Sequence, residues 1–357
     1  MKTYIKYLIN LFNFSFIKIF TVFFIIILIT NILEQTEFFK GIDLSFPYLI
    51  FLSFLNTPSV LFEILPFIFL LSTQIFFIHL IDKNELEVFK YTGLNNLKII
   101  KILGLYSFFL GIILVIFFYN GSSILKNSYL LIKNSYSDDN KYLAVINENG
   151  LWIKDEINDN INIINASKVN NDFLLNVSIT SFNKDFNVIE ILHSEKVDIT
   201  SKKWKIFNPI ILRGNSQSSV NEIVLESNFD LQKINSLFSN LSSLNIIDLI
   251  TLRKSYISLN YSVTDINSHL LKIASYPVYL TLITIFSAII MFNISYQKNT
   301  FFKITLGIFL SVIIYYINNF LSVLGTNGKI PLTLSIFLPL IILSIINFIS
   351  IIKLNEK

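Results

Sequence analysis

The sequence has no cysteine among its 357 residues, and only 15% of its residues are charged. The absence of cysteine excludes disulfides, thiol catalysis and cysteine-ligated metals. Soluble globular proteins carry about 25% charged residues, so this composition indicates a membrane protein. The net charge of +4 is small and gives no support for binding nucleic acid.

Motifs for hydrolysis and nucleotide binding are also missing. The chain contains no G-x-S-x-G, H-E-x-x-H or P-loop sequence. The segment Gly325–Lys329 lacks the spacing of a phosphate-binding loop, and we interpret it as a turn. The 3 histidines are scattered, and no pair has metal-ligand spacing. We therefore predict no catalytic residue, no metal, no cofactor and no ATPase site in this chain.

Long apolar runs dominate what is present. Hydrophobic residues make up 53% of the chain, and the mean hydropathy is +0.62. Two apolar segments, Tyr4–Phe14 and Leu44–Asn56, are expected to lie along the membrane interface, the second because Pro47 and Pro58 bracket it. Runs of roughly 20 residues are long enough to cross a membrane. The predicted spans are Phe16–Leu33, Leu61–Ile81, Ile102–Tyr119, Ile273–Ile294, Phe301–Val323 and Pro331–Ile352.

The distribution of lysines predicts the orientation. Short connections on one side of the predicted membrane contain only Lys40 and Lys329, whereas the other side is rich in lysine. Positive residues accumulate on the cytoplasmic side of short loops, so we expect both termini to be cytoplasmic. The lysines on that side are Lys2, Lys6, Lys83, Lys90, Lys98, Lys101, Lys298, Lys303, Lys353 and Lys357.

Between the third and fourth spans, apolar and polar residues alternate as they do in β-strands. Turn signals such as Asn149-Gly150 separate the strands, and their number suggests a sandwich, jelly roll or open barrel outside the membrane. Asn245–Leu259 then has helical spacing. The predicted strands are Tyr142–Asn147, Leu151–Lys154, Asn160–Ala166, Leu174–Ser181, Val188–Val197, Trp204–Arg213 and Glu222–Ser227.

These patterns divide the chain into three parts. We predict an N-terminal membrane half at 1–120, a periplasmic β domain at 121–265 and a C-terminal membrane half at 266–357. The expected fold class is a membrane α-helical protein with an inserted all-β domain. Six transmembrane helices, arranged as 3+3, flank that domain.

The connection between the second and third spans has signals for a short helix at about 84–93. Asn84 can cap it, Glu87 is in the capping-box position, and Gly93 can end it. The predicted helix, Glu85–Thr92, presents its acidic first residue and Phe89 on one side. It is either a solvated loop helix or a coupling helix that binds a cytoplasmic partner.

Two segments resemble the LptF/LptG permeases of lipopolysaccharide export: Thr57–Pro66 (TPSVLFEILP) and Asn84–Leu94 (NELEVFKYTGL). The ordered set of segments covers nearly the whole chain and is more specific than any single motif. It is more similar to LptG than to LptF. Supporting segments are Ile32–Gln35, Leu151–Asp155, Tyr315-Tyr316 and Leu324-Gly325.

The resemblance implies a half-permease of an ABC-type exporter in the inner membrane. It would pair with a paralogous LptF-like chain around a central cavity, and an LptB-like ATPase dimer would bind beneath. The outer domain would be a β-jelly roll that passes lipopolysaccharide to LptC-like and LptA-like periplasmic proteins.

The resemblance also implies roles for particular residues. The acidic residue that starts the inner helix engages the ATPase in this family, which carries over to Glu85. Relatives often have basic residues after the Glu-Gln pair, whereas this chain has only Lys40 near it, which is our candidate for substrate binding. The first and fifth spans would form lateral gates. The expected coupling residues are Glu85, Leu86, Phe89 and Gly93.

Two other functions are compatible with parts of this pattern. A non-transporting membrane protein with a periplasmic partner-binding domain, as in FtsX-type regulators, would have four membrane helices rather than six. A membrane-embedded enzyme acting on lipid or glycan would need clustered acidic residues or histidines at a membrane edge, and the sequence has no such cluster.

Overall fold

The structure is a computed structural model. It describes residues 3–42, 44–136, 151–157, 160–170, 172–214, 216–231, 234, 240–258, 262–293 and 300–355. The chain forms two compact units. We call them the helical unit, which comprises Met1–Lys126 and Thr264–Lys357, and the β unit, Asn127–Val263.

Six helical segments of the described residues are long and apolar enough to cross a membrane. They flank in sequence an antiparallel β-sheet, which confirms the predicted fold class of a helical membrane protein with an inserted β domain. A π-helical segment, Leu114–Tyr119, joins α4 to α5. The α-helices are α1 (Thr3–Phe38), α2 (Phe46–Asp82), α3 (Glu85–Tyr91), α4 (Asn96–Ile113), α5 (Asn120–Ser135), α6 (Ile246–Ser258), α7 (Thr264–Asn293), α8 (Thr300–Thr326) and α9 (Leu332–Asn355).

The second helix differs from its prediction. The expected separate interfacial helix at Leu44–Asn56 is wrong, because α2 runs through this segment without a break for 37 residues. Pro47 lies in its first turn, where the missing N–H has no intrahelical partner to lose. Pro58 and Pro66 lie inside the helix. Proline is tolerated there when other groups satisfy the backbone that it frees.

One such group comes from a distant helix. Pro66 has no N–H to donate to the carbonyl of Phe62, four residues earlier. The hydroxyl of Tyr276 on α7 donates a hydrogen bond to that carbonyl instead. The packing of α7 on α2 therefore allows α2 to continue past a residue that would normally end a helix.

The first and third spans also extend beyond the predicted segments. α1 contains the expected interfacial segment Tyr4–Phe14 and the first span in one helix of 36 residues. At about 1.5 Å per residue it is longer than the roughly 30 Å of a bilayer's hydrocarbon core. The third span does not end at Tyr119, because α5 continues the helix to Ser135.

Close packing and buried polar contacts hold the helices of this unit together. A Cβ added at Gly111 of α4 would lie 2.9 Å from the Cα of Pro277, so only glycine permits this approach to α7. Between α1 and α2, the Asn31 side-chain amide donates to Thr57 Oγ1 at 3.0 Å. Asn56 donates to Asn31 Oδ1 at 3.3 Å. Such bonds link helices where water is absent.

The β unit contains one antiparallel sheet with the strand order β1-β2-β3-β4-β5-β8, in which β6 pairs with β4 and β7. The predicted strands between 151 and 227 are confirmed except for Trp204–Arg213, and Tyr142–Asn147 lies outside the described residues. The strands are β1 (Leu151–Ile157), β2 (Asn160–Asn170), β3 (Phe173–Phe182), β4 (Val188–Asp198), β5 (Lys203–Phe207), β6 (Ile210–Arg213), β7 (Ser216–Ser219) and β8 (Glu222–Glu226).

The segment Trp204–Arg213 is two strands rather than one. Asn208 has a φ of 45°, which turns the chain between β5 and β6. Proline follows it and cannot donate to a sheet. Both strands pair with β4. The strand β5 pairs with residues 196–198 of β4, and β6 pairs with residues 191–193 of β4. The strand β7 was not predicted, because its four residues are all polar and exposed and therefore show no alternation of apolar and polar residues.

The sheet curls so that its first strand meets the segment after its last. The carboxylate of Asp155 on β1 is buried and accepts hydrogen bonds from Ser227 Oγ at 2.7 Å and from the amide of Asn228 at 3.1 Å. Trp204 is fully buried in the core, and its indole N–H donates to the Phe229 carbonyl at 2.8 Å. Alternation of apolar residues on each strand therefore builds a core on the inner face.

Candidate functional site

The candidate coupling helix α3 connects α2 to α4, and it begins in an unexpected way. The predicted capping box is wrong, because the Asn84 side chain makes no capping hydrogen bond and its φ is 56°. Asparagine tolerates this left-handed conformation better than most residues. The chain therefore turns at Asn84 through its backbone. The backbone N–H of Asn84 donates to the Ile81 carbonyl at 3.0 Å.

The end of α3 agrees with the prediction that Gly93 ends the helix. Gly93 has a φ of +81°, which disfavours any residue with a Cβ. Its amide donates to the Lys90 carbonyl at 3.0 Å, and the Leu94 amide donates to the Phe89 carbonyl at 2.9 Å. This pair of bonds is a Schellman motif, and it satisfies carbonyls at the helix end.

Two of the predicted coupling residues, Glu85 and Phe89, contact the same side chain of α1, that of Tyr7. The hydroxyl of Tyr7 donates to Glu85 Oε2 at 2.6 Å. The Tyr7 and Phe89 rings lie 6.2 Å apart, centroid to centroid. Glu85 and Phe89 thus share a face of α3, as their spacing predicts, and that face lies against the beginning of α1. Sequence reasoning missed Tyr7, because nothing local links it to residues 78 positions away.

The remaining surface of α3 divides into a buried and an exposed part. Leu86 is 1% exposed and anchors the helix to the helical unit. In contrast, Val88 and Tyr91 are 58% and 90% exposed. Large apolar side chains on a rigid helix are the type of surface that binds a partner. Sequence reasoning did not select these two residues, since their exposure depends on which face Leu86 buries.

Lys40 lies in the turn that follows α1. It is exposed, and its backbone amide donates to the Glu37 carbonyl at 3.3 Å. It does not line the cavity of the helical unit that Glu63 and Lys272 border. Lys40 and α3 are at opposite ends of α1, since Tyr7 and Lys40 are separated by about 50 Å at 1.5 Å per residue.

The described residues contain no group of three or more His, Asp or Glu side chains that is arranged to hold a metal ion. A part-buried contact joins His269 Nε2 and the Tyr119 hydroxyl at 2.9 Å. Tyr119 belongs to the π-helical segment and His269 to α7. We interpret this contact as packing between α7 and the third span.

A chain with six membrane-crossing helices and an inserted β unit belongs to the class of multi-pass membrane proteins. The family model for the lipopolysaccharide export system permease LptF/LptG matches residues 6–353. The chain is therefore a member of the LptF/LptG family, and the match does not distinguish the two paralogues. A comparison with curated proteins gave no match. Membership implies a permease subunit for lipopolysaccharide export, located in the inner membrane and without ATPase activity of its own.

Proposed function

We propose that this chain is one half of an ABC-type exporter that extracts lipopolysaccharide from the inner membrane. It pairs with its paralogue, and an LptB-like ATPase dimer binds both chains at their α3 helices. Lipopolysaccharide then passes to LptC-like and LptA-like proteins along the β unit. The family match over residues 6–353 is the observation that supports this proposal most directly.

The proposed orientation places both termini and α3 in the cytoplasm and the β unit in the periplasm. Its support is the excess of lysine in the connections on the α3 side. An ATPase that uses cytoplasmic ATP requires its binding element on this side. The same orientation places Lys40 at the outer boundary, where its charge would neutralise a lipid phosphate.

An external energy source is needed because the substrate has several acyl chains. Each buried methylene contributes about 0.8 kcal/mol to holding a lipid in the bilayer. A binding cavity alone cannot overcome this cost repeatedly, since a ligand shifts an equilibrium only by its differential affinity. ATP binding and hydrolysis in the partner would reset the cavity through α3.

The helical unit offers two faces for the paralogous chain. In the apolar windows of α1 and α8 only 11% of residues are buried within this chain, against 61% for α2. Both helices thus bury few residues within this chain and present the others, fully or in part, to lipid or to another protein. They correspond to the first and fifth spans, which the family resemblance assigns to lateral gates. We propose that α1 and α8 contact the paralogue there.

The alternative of a non-transporting regulator loses its support. An FtsX-type protein has four membrane helices, whereas six helical segments here are able to cross a membrane. The family match also assigns a permease role.

Depletion in the native bacterium tests the export function. We expect lipopolysaccharide to accumulate in the inner membrane, as measured by membrane fractionation and pulse labelling. Normal delivery to the outer membrane would refute the proposal. Expression of the wild-type chain in the depleted strain should restore export.

Charge reversal at α3 tests the ATPase contact. Glu85→Lys should abolish co-purification of the ATPase with the permease pair. Glu37→Lys makes the same change in the last turns of α1 and should leave co-purification intact. Retention of the ATPase by Glu85→Lys would exclude this role for Glu85.

A further inference from the structure

A cavity of about 400 Å³ lies within the helical unit, between α2, α7, α8 and α9. Its lining on α7 runs from Lys272 to Ile283. This corresponds to about 16 Å along the helix axis. Half of a roughly 30 Å hydrocarbon core is about 15 Å. The cavity therefore extends over approximately the depth of one membrane leaflet.

The inner part of the cavity is chemically apolar. Its two serine hydroxyls bond to backbone carbonyls of their own helices: Ser275 Oγ donates to Lys272 O at 3.1 Å, and Ser311 Oγ to Ile308 O at 2.8 Å. The Tyr276 hydroxyl, which also lines the cavity, donates to the Phe62 carbonyl of α2. Hydroxyls whose donor is already bonded to a backbone carbonyl do not need a hydrogen-bond acceptor on a ligand. The remaining inner walls are mainly hydrocarbon and aromatic, including Phe67, Ile283, Val312, Ile336 and Leu340.

Opposite charges lie at one end of the same cavity. Glu63 and Lys272 both line it, and both are exposed. Their charges interact with each other, but neither side chain forms a hydrogen bond or ion pair with another described residue. Glu63 lies about 28 Å along α2 from Asp82, so this end is at the membrane boundary opposite α3.

We propose that the cavity binds one acyl chain of a zwitterionic, amine-bearing phospholipid of the surrounding membrane. The lipid phosphate contacts the Lys272 ammonium, and the headgroup ammonium contacts the Glu63 carboxylate. Charge-assisted hydrogen bonds of this kind are about twice as strong as neutral ones. Two further charges lie near this pair: Lys126 interacts with Glu63, and Asp265 interacts with Lys272.

The dimensions and charges favour a membrane phospholipid over the exported glycolipid. A cavity of about 400 Å³ is at the small end of ligand pockets and does not accommodate several acyl chains. A carboxylate at the opening also repels a headgroup that carries only phosphates. The bound lipid would fill the space behind α8 over residues 311–318 and support that helix. This proposal does not depend on the export function.

Lipid titration of the full purified chain, followed by native mass spectrometry, tests the proposal. We expect one dioleoyl phosphatidylethanolamine to bind about tenfold more tightly than phosphatidylglycerol with the same chains. Glu63→Gln should remove this preference, and Lys272→Gln should weaken both lipids. The matched variants Glu37→Gln and Lys329→Gln lie away from the cavity and should behave as the wild type. Equal binding of the two lipids, or an unaffected Glu63→Gln variant, would overturn the proposal.

Photo-crosslinking locates the acyl chain. A phosphatidylethanolamine with a diazirine in one chain should label residues of α7 and α8 that line the cavity. Ser311→Leu should reduce this labelling by filling the cavity, and circular dichroism checks that the variant is folded. Labelling confined to other surfaces would refute the site. Displacement of the probe by lipid A, but not by phosphatidylethanolamine, would assign the cavity to the exported substrate and refute our proposal.

Discussion

The hydroxyl of Tyr7 and the carboxylate of Glu85 form a 2.6 Å hydrogen bond between α1 and α3. The helix that we propose as the ATPase contact is thus joined to a helix that we propose as a gate. A displacement of α3 would act directly on the beginning of α1. This contact provides a route to α1, in addition to the covalent connections of α3 to α2 and α4, by which the partner's ATP cycle can affect the membrane part of the chain.

We expect Tyr7→Phe to reduce this coupling. The variant keeps the ring that packs near Phe89 but loses a hydrogen bond, which typically contributes about 1 kcal/mol. In proteoliposomes with the whole exporter, lipopolysaccharide release per ATP should fall several-fold, while the ATPase remains bound. Tyr4→Phe, on the same helix, is the control. Unchanged release per ATP in Tyr7→Phe would argue against transmission through this bond.

The exposed apolar pair of α3 predicts a second effect. Tyr91→Ala and Val88→Ala should each weaken ATPase binding, because buried anchor residues contribute about 1–4 kcal/mol at interfaces. Binding of the labelled ATPase to the permease pair provides the measurement. Val220→Ala removes a comparable exposed side chain in the β unit and should have no effect. If only Glu85→Lys impairs binding, the contact surface lies on the Tyr7 side of α3.

The left-handed conformation at Gly93 predicts a cost for any added side chain. Space is available, since a Cβ would meet no atom within 4 Å. The conformation itself costs about 1–2 kcal/mol for an L-residue. Gly93→Ala should therefore lower the thermal stability of α3 and increase its hydrogen exchange. Gly121→Ala also enters open space, but within α5, and should be neutral or slightly stabilising. Equal behaviour of both variants would contradict the proposed strain.

Acid should weaken the turn after β4. Hydrogen bonds from the amide of Thr200, at 2.9 Å, and from its hydroxyl, at 2.8 Å, hold the pKa of Asp198 below its usual value, with help from Lys205 and Lys196. A lowered pKa in the folded state stabilises the fold above about pH 4, and this contribution is lost as the pH falls through the folded-state value.

The contribution is small, under about 1 kcal/mol, because the hydrogen bonds of Asp198 to Thr200 are exposed to water, which screens the charge. The difference in melting temperature between the wild type and Asp198→Asn should be positive near pH 6 and shrink by pH 3. Fluorescence of the buried Trp204 reports unfolding of the β unit. A difference that stays constant across this range would exclude a contribution from ionised Asp198.

Much of the candidate site could be predicted from local signals. The position of α3 and its end at Gly93 follow from residues within one short segment. The direction of its faces could not be predicted, because it depends on where Leu86 is buried. The capping box predicted at Asn84 is wrong for a related reason. The sequence matches a capping signal, but asparagine also tolerates the left-handed backbone turn that the chain adopts there.

Other parts of the fold depended on residues that are far apart in the chain. The prolines that bracket Leu44–Asn56 predicted a break, yet α2 runs on past Pro58 to Asp82. Further along the same helix, Tyr276 satisfies the Phe62 carbonyl that Pro66 leaves without a donor. The cavity of the helical unit could not be predicted either. Four helices form it, and its two charges lie more than 200 positions apart in the sequence.

The sequence by itself determined that the chain crosses a membrane with six helices and carries a β domain between the third and fourth. Length, apolarity and alternation decide these features because each depends on residues within one element. Only the tertiary structure decided which side chains meet: Tyr7 with Glu85, and Tyr276 with Phe62. These contacts arise from helix packing, which brings together groups that no local pattern relates.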